Sequence, residues 1–178
     1  MQMIKIFDAA DYEPHWIKYK RDSARGIIFI GDELLMVRSR KYGEYKFPGG
    51  GIEPNETHTE ALIREVMEET GYSLLPKSIN KYGKILRILK GMGENEIFEQ
   101  ESFYYTCQVD ERNPAAPVPD DDYEAEYGYE PILVSLDQAI TTNEKLINIP
   151  EIPWTLRDLT VLKELKQNQI EGEKHGRN

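Results

Sequence analysis

Residues 50–72 read GGIEPNETHTEALIREVMEETGY, and this stretch decides how the rest of the chain is understood. Thr57-His58-Thr59-Glu60 is a capping box: a threonine oxygen accepts from a free helix N–H, and a glutamate three residues on reciprocates. The spacing predicts a helix over His58–Thr70, with Gly71 in the left-handed position just past its end. On a helical wheel Leu62, Ile63, Val66 and Thr70 share one side, with Thr59 and Met67 nearby. Glu65, Glu68 and Glu69 face the other way around small Ala61. Residues three and four apart are neighbours on a helix, so these three carboxylates are expected to converge. Like charges at that spacing cost stability, and the C-terminal half of a helix disfavours anions. A solvated acidic face is the ordinary explanation for such glutamates. Against it stand Arg64, placed to pair with Glu60 or Glu68, and the glycine turn with Glu56 directly upstream. A cluster offering only oxygen ligands suits Mg²⁺ or Mn²⁺.

Working outward, residues 26–30 and 34–37 are short β-rich runs around Gly31-Asp32-Glu33 and read as a hairpin. Residues 3–7 read as an edge strand. Further strands are predicted at 83–89 and 101–109, where Phe103, Tyr105, Cys107 and Val109 alternate onto one face, and at 132–136. Residues 110–131, rich in proline and acid, read as a long surface loop. Ser135-Leu136-Asp137-Gln138 resembles a second capping box. A last helix is predicted over 153–167, with Leu156, Leu159, Leu162 and Leu165 as its buried stripe. Strands joined by hairpins and interleaved with helices predict a mixed sheet with helices packed on it. One domain over residues 1–170 is expected, with a frayed tail at 171–178.

The 178 residues carry 22 Lys and Arg against 32 Asp and Glu, a formal net charge of −10 that argues against general nucleic-acid binding. It leaves room for a phosphorylated substrate if bound cations supply the positive charge. Three histidines and one cysteine, Cys107, argue against a structural zinc site or a disulfide framework. No apolar run spans a bilayer, and the N-terminus lacks the features of a signal peptide, so a cytoplasmic location is expected, with no membrane partner.

The pattern Gly50, five residues, Glu56, seven residues, then Arg64-Glu65-Val66-Met67-Glu68-Glu69-Thr70-Gly71-Tyr72 resembles the Nudix box, G-x5-E-x7-R-E-U-x-E-E-x-G-U. Every fixed position agrees; Tyr72 stands where a bulky aliphatic residue is usual. Phe47-Pro48-Gly49 and Val134-Ser135-Leu136-Asp137 are also similar to the family. The resemblance implies an α/β fold, a Nudix-like α/β/α sandwich with a mixed β-sheet. It also implies metal-dependent hydrolysis of a pyrophosphate bond in a nucleoside diphosphate linked to another group. By the same resemblance Glu65, Glu68 and Glu69 bind Mg²⁺ or Mn²⁺, with the Gly49 backbone carbonyl as a possible further ligand. Glu56 supports them or holds a second metal, and Arg64 orients the acids.

The proton acceptor is either a box glutamate or a loop acid such as Glu124 or Glu126, which read equally as plain loop acids. Arg38, Arg40, Lys41 and Lys46 are candidates for a phosphate, and Tyr42 and Tyr45 for a base, beside the simpler reading of solvated cations and core-covering rings. The expected partner is a small nucleotide-like phosphorylated molecule; a homo-oligomer stays open. Two other functions compete: a nucleotide-sensing module without catalysis, and an acidic helix that docks a basic protein.

Overall fold

The computed structural model describes residues 1–112, 114–117 and 126–175. The chain divides into two compact units, Met1–Ile28 with Pro48–Val118, and Phe29–Phe47 with Pro119–Asn178. The fold is α/β, with parallel and antiparallel strands in one mixed sheet and helices that include His58–Thr70, Leu136–Glu144 and Thr155–His175.

The first unit is built on a long antiparallel hairpin, β8 (Asn80–Lys90) with β9 (Glu96–Cys107). β1 (Gln2–Asp8) adds to β8 in parallel at the sheet edge, as expected for residues 3–7. β2 (Ile17–Lys20) and the first part of β3 (Ser23–Ile30) run one after the other along the far side of β9, both parallel to it. β6 (Gly49–Gly51) pairs antiparallel with Ser23, Ala24 and Arg25 of β3. At Gly49, where φ is +131°, a Cβ would stand 2.1 Å from the Ala24 carbonyl oxygen, so only glycine fits. Short strands β7 (Ser73–Leu74) and β10 (Val109–Asp110) pair with each other.

Helix α1 spans His58–Thr70, as the capping box predicted. Thr57 accepts from the Glu60 N–H while Glu60 bonds back to the Thr57 N–H, and Gly71 closes the helix in the left-handed conformation. His58 ties the first turn to β9: its Nδ1 lies 2.8 Å from the Tyr105 hydroxyl and its ring packs on Phe103. Ala61, Leu62 and Val66 are fully buried.

One expectation is corrected here. Glu69 is only 8% exposed and belongs to the buried flank of α1, so the three box acids do not share one outward face. The predicted shared face is present: Phe103 and Tyr105 both contact His58 of α1, and Tyr105, Cys107 and Val109 are buried, as are the intervening Ser102 and Tyr104.

In the second unit the end of β3 turns into β4 (Glu33–Ser39) through Phe29↔Leu34 and Ile30↔Glu33, the predicted hairpin. β4 carries β11 (Tyr129–Val134) and the two-residue β5 (Tyr45–Lys46), both antiparallel. Leu34, Leu35, Met36 and Val37 are all buried. Helix α2 (Leu136–Glu144) starts at Ser135, whose hydroxyl accepts from the Gln138 N–H, and packs on α3 (Thr155–His175). Helix α3 begins after Pro153 and runs past the predicted end at 167, because neither glycine nor proline stops it there and Gln167 bonds to Glu171 one turn on. Its buried side holds Thr155, Asp158, Leu159 and Leu162, whereas Leu156, expected in the stripe, is exposed. Residues 176–178 of the expected tail lie outside the described residues. Among the described residues no helix is long and apolar enough to cross a membrane.

Candidate active site

The candidate site lies in the first unit, where the β6 turn meets α1. Arg64 is its hub. Nε and Nη2 of its guanidinium donate to the two oxygens of Glu56 at 2.9 and 3.0 Å. Nη1 donates to Glu65 Oε1 at 2.8 Å and Glu68 Oε2 at 3.1 Å. Nη2 also donates to the Gly51 carbonyl at 3.1 Å, which ties α1 to the turn. A planar fork of five N–H donors is the side chain that can serve three carboxylates and a carbonyl at once. Glu60, the other partner expected for Arg64, is spent on the helix cap.

Burial and this pairing pull the acids apart electrostatically. Hydrogen bonding to Arg64 holds Glu56 below the usual carboxylate range. Glu65 goes the other way: burial raises it, although Arg64 and the more distant Arg25 oppose the rise. The Arg64 guanidinium is held still more firmly in its charged form, first by Glu56 and then by Glu65.

Glu69 has a separate task. Its Oε2 accepts the Gly49 N–H at 2.7 Å, while the Gly49 carbonyl accepts from Nη1 of buried Arg25 at 2.8 Å. The Gly49 peptide is therefore clamped from both ends, by an acid of α1 and a base of β3. The carbonyl expected as a metal ligand already serves Arg25. Arg25 escaped the sequence reading because a charged residue inside a strand whose faces are both covered leaves no mark in the hydrophobic pattern.

Among the described residues no three His, Cys, Asp or Glu side chains stand close enough together to hold a metal ion. The physical reason is Arg64, which occupies the middle of the acids as their internal cation. The donors nevertheless fit a hard cation in kind. Glu65 Oε2 and Glu68 Oε1 accept nothing from a described residue. A Cβ at Gly50 would lie 2.2–2.4 Å from the Glu65 carboxylate atoms, so that carboxylate rests directly on the turn. Desolvated and sharing one arginine, Glu65 gains from a further positive charge.

The remaining expected residues belong to the second unit. Arg40 pairs with Glu130 at 2.9 Å, and Lys41 pairs with Glu126. Lys46 is buried, with Nζ 3.6 Å from the centre of the Tyr129 ring. Arg38 is exposed on β4. Tyr42 packs against Tyr127, and Tyr45 is buried with its backbone held by Asn143. Glu124 lies outside the described residues. Cys107 is buried and its thiol is pushed up to about 12, which removes it as a nucleophile.

A mixed sheet carrying a glycine turn clamped onto an acidic, arginine-bridged helix defines a Nudix-type fold. The sequence matches the NUDIX domain over residues 20–155, and the chain belongs to that family. Its relatives include diphosphoinositol polyphosphate phosphohydrolases and an RNA pyrophosphohydrolase. It is 35% identical over 81 residues to diphosphoinositol polyphosphate phosphohydrolase 3-beta of Bos taurus, covering 45% of this chain and 44% of that one. It is 42% identical over 67 residues to RNA pyrophosphohydrolase of Halorhodospira halophila (strain DSM 244 / SL1), covering 36% of each. The match thus spans less than half the length of either relative. Among solved structures, a NUDIX hydrolase from Nitrosomonas europaea shares the fold with a TM-score of 0.51 at 21% identity, over 79% of this chain and 88% of that one. An ADP compounds hydrolase does so with a TM-score of 0.52 at 18% identity, over 84% and 74%.

Proposed function

We propose that the chain is a divalent-metal-dependent hydrolase that cleaves a pyrophosphate bond in a small, nucleotide-like phosphorylated substrate. The observation that carries this reading is the clamped Gly49 turn set against Arg64 and its three carboxylates. Such a network fixes acids in place at the cost of their mutual repulsion, which a purely structural helix has no reason to bear.

Glu65, Glu68 and Glu69 would hold the cation. Bound there, Mg²⁺ or Mn²⁺ would offset phosphate charge and acidify a water for attack on phosphorus. The protein's own residues do the rest. Arg64 and Glu56 hold the carboxylates of Glu65 and Glu68 in register. Glu69 and Arg25 fix the Gly49 peptide. Glu65, whose carboxyl is raised by burial, is suited to take the water's proton at Oε2. The resemblance leaves the loop acid Glu126 as the alternative proton acceptor.

The relatives act on diphosphoinositol polyphosphates and on RNA pyrophosphate, by their names. Those two substrates, with ADP-ribose, nucleotide sugars and dinucleoside polyphosphates, form the panel for a release assay with Mg²⁺ and Mn²⁺. Cleavage of at least one substrate, abolished by chelation, is the expected result. Binding without cleavage of any would favour the sensing module, which the intact box argues against. No binding at all would leave the acidic helix as a docking element.

A further inference from the structure

We propose that Arg21 is a phosphate-binding residue of this site, a role distinct from those of Arg64 and Arg25; the proposal rests on the hydrolase reading above. Arg21 sits where the chain passes from β2 to β3 along β9. Its backbone is held on both sides: the Arg21 N–H donates to the Glu99 carbonyl at 3.1 Å, and the next carbonyl, that of Asp22, accepts from the Ile52 N–H at 3.0 Å. The root of the side chain is therefore fixed between β9 and the end of the glycine turn.

Its tip lies over that turn. A Cβ on Gly51 would meet Nε of Arg21 at 3.2 Å and Nη2 at 3.3 Å. Gly51 thus carries Arg64 at its carbonyl and Arg21 beside its Cα, one residue from the Gly50 backbone on which the Glu65 carboxylate rests. Every other cation nearby is used. Lys18 pairs with Glu99, Lys20 with Asp22 and Glu101, and Lys84 with Glu101. Arg64 and Arg25 serve the acids and the Gly49 carbonyl. Arg21 alone in this group is exposed and makes no side-chain hydrogen bond or ion pair with a described residue.

A pyrophosphate brings at least two negative charges to a site that already holds Glu56, Glu65, Glu68 and Glu69. A metal held by the acids addresses one phosphate, and the other needs a cation with its donors free. Guanidinium is the side chain that grips phosphate in a two-point fork. Arg21 supplies that fork at the rim of the turn, on a backbone that does not have to be ordered first. The ligand chemistry is a phosphate or pyrophosphate group, whichever molecule bears it.

The test compares wild type, Arg21→Ala, Arg21→Lys and, as a control, Lys18→Ala, which removes an exposed but paired cation. Two readouts are needed: calorimetric binding of inorganic pyrophosphate in Mg²⁺ buffer, and kinetics on whichever panel substrate wild type cleaves. Arg21→Ala is expected to weaken pyrophosphate binding by about 10-fold and to raise KM similarly, with kcat within about twofold of wild type. Its melting temperature should not move. Arg21→Lys should recover part of the affinity, and Lys18→Ala should lose none. Unchanged binding and KM in Arg21→Ala would overturn the proposal, and so would an equal loss in Lys18→Ala or a fall in kcat together with melting temperature. If wild type binds pyrophosphate through Arg21 but cleaves nothing, the hydrolase reading fails and Arg21 stands. If wild type cleaves and Arg21→Ala matches it, Arg21 fails and the hydrolase reading stands. If wild type neither binds nor cleaves, both fail.

Discussion

At the scale of single residues, the site is a contest between desolvation and one guanidinium. The direction of the Glu65 shift makes it testable. Burial raises its carboxyl above the ordinary value of 4.5, so the folded protein holds that proton more tightly than the unfolded chain does. Ionising Glu65 therefore costs stability. The cost is absent below the unfolded value, grows as pH rises from there through the raised folded value, and is complete above it. Glu65→Gln should melt later than wild type at pH 7 in metal-free buffer, with the difference closing as pH falls below about 4.5. A mutant that melts earlier at neutral pH would contradict the assignment.

Arg64 should behave in the opposite sense. Its side chain is 25% exposed, and Arg64→Gln leaves Glu56, Glu65 and Glu68 without their cation. A loss of about 2–4 kcal/mol is expected in denaturant titration, somewhat below that for a fully buried pair. Added Mg²⁺ should recover more melting temperature in this mutant than in wild type, because a cation is what it lacks.

The acids were legible in the sequence because spacing on a helix is geometry. Their directions were not. A wheel sends every charge outward, but Glu69 turns inward because the Gly49 N–H, facing the helix, offers a buried carboxylate a donor. Arg25 was illegible for the same reason: its partner is a carbonyl 24 residues away in sequence.

Among the elements, α1 was the most readable because both of its ends carry side-chain signals, the Thr57–Glu60 box and Gly71. Val66, fully buried on its inner face, separates packing from chemistry. Val66→Ala should lose about 1–3 kcal/mol of stability while turnover per folded molecule stays near wild type. Thermal melts alongside active-site-normalised rates would check both halves of that statement. Strand β5 was not readable, since two residues carry no periodicity. It is held by an amide that imitates a neighbouring strand: Asn143 accepts the Tyr45 N–H and donates to the Tyr45 carbonyl, both at 2.9 Å. Asn143→Ala leaves both groups buried without partners and should cost about 2–4 kcal/mol, measured by urea titration. The α3 stripe was legible at Leu159 and Leu162, which are buried, but not at its start: polar Thr155 and Asp158 occupy the inner face there and Leu156 is exposed, which a count of apolar residues does not reveal.

For the whole molecule, the NUDIX match over residues 20–155 and the described mixed sheet agree with the fold expected from 23 residues of sequence. The agreement has a physical basis. The box specifies a turn, a capped helix and the contact between them, and a glycine turn paired to β3 needs a sheet behind it. The substrate was not legible, because a box positions charge around a phosphorus atom and says nothing of what the phosphate is attached to. The acidic net charge of −10 sharpens the dependence on cations. The most direct test is therefore a metal titration of pyrophosphate-bond cleavage on the panel, run after thorough chelation, with wild type beside Glu69→Gln. The expected result is no turnover without metal, saturable recovery with Mg²⁺ or Mn²⁺, and a loss of roughly 10²-fold or more in the mutant at saturating metal. Turnover that survives chelation, or a Glu69→Gln enzyme as fast as wild type, would contradict a metal-dependent hydrolase built on this helix.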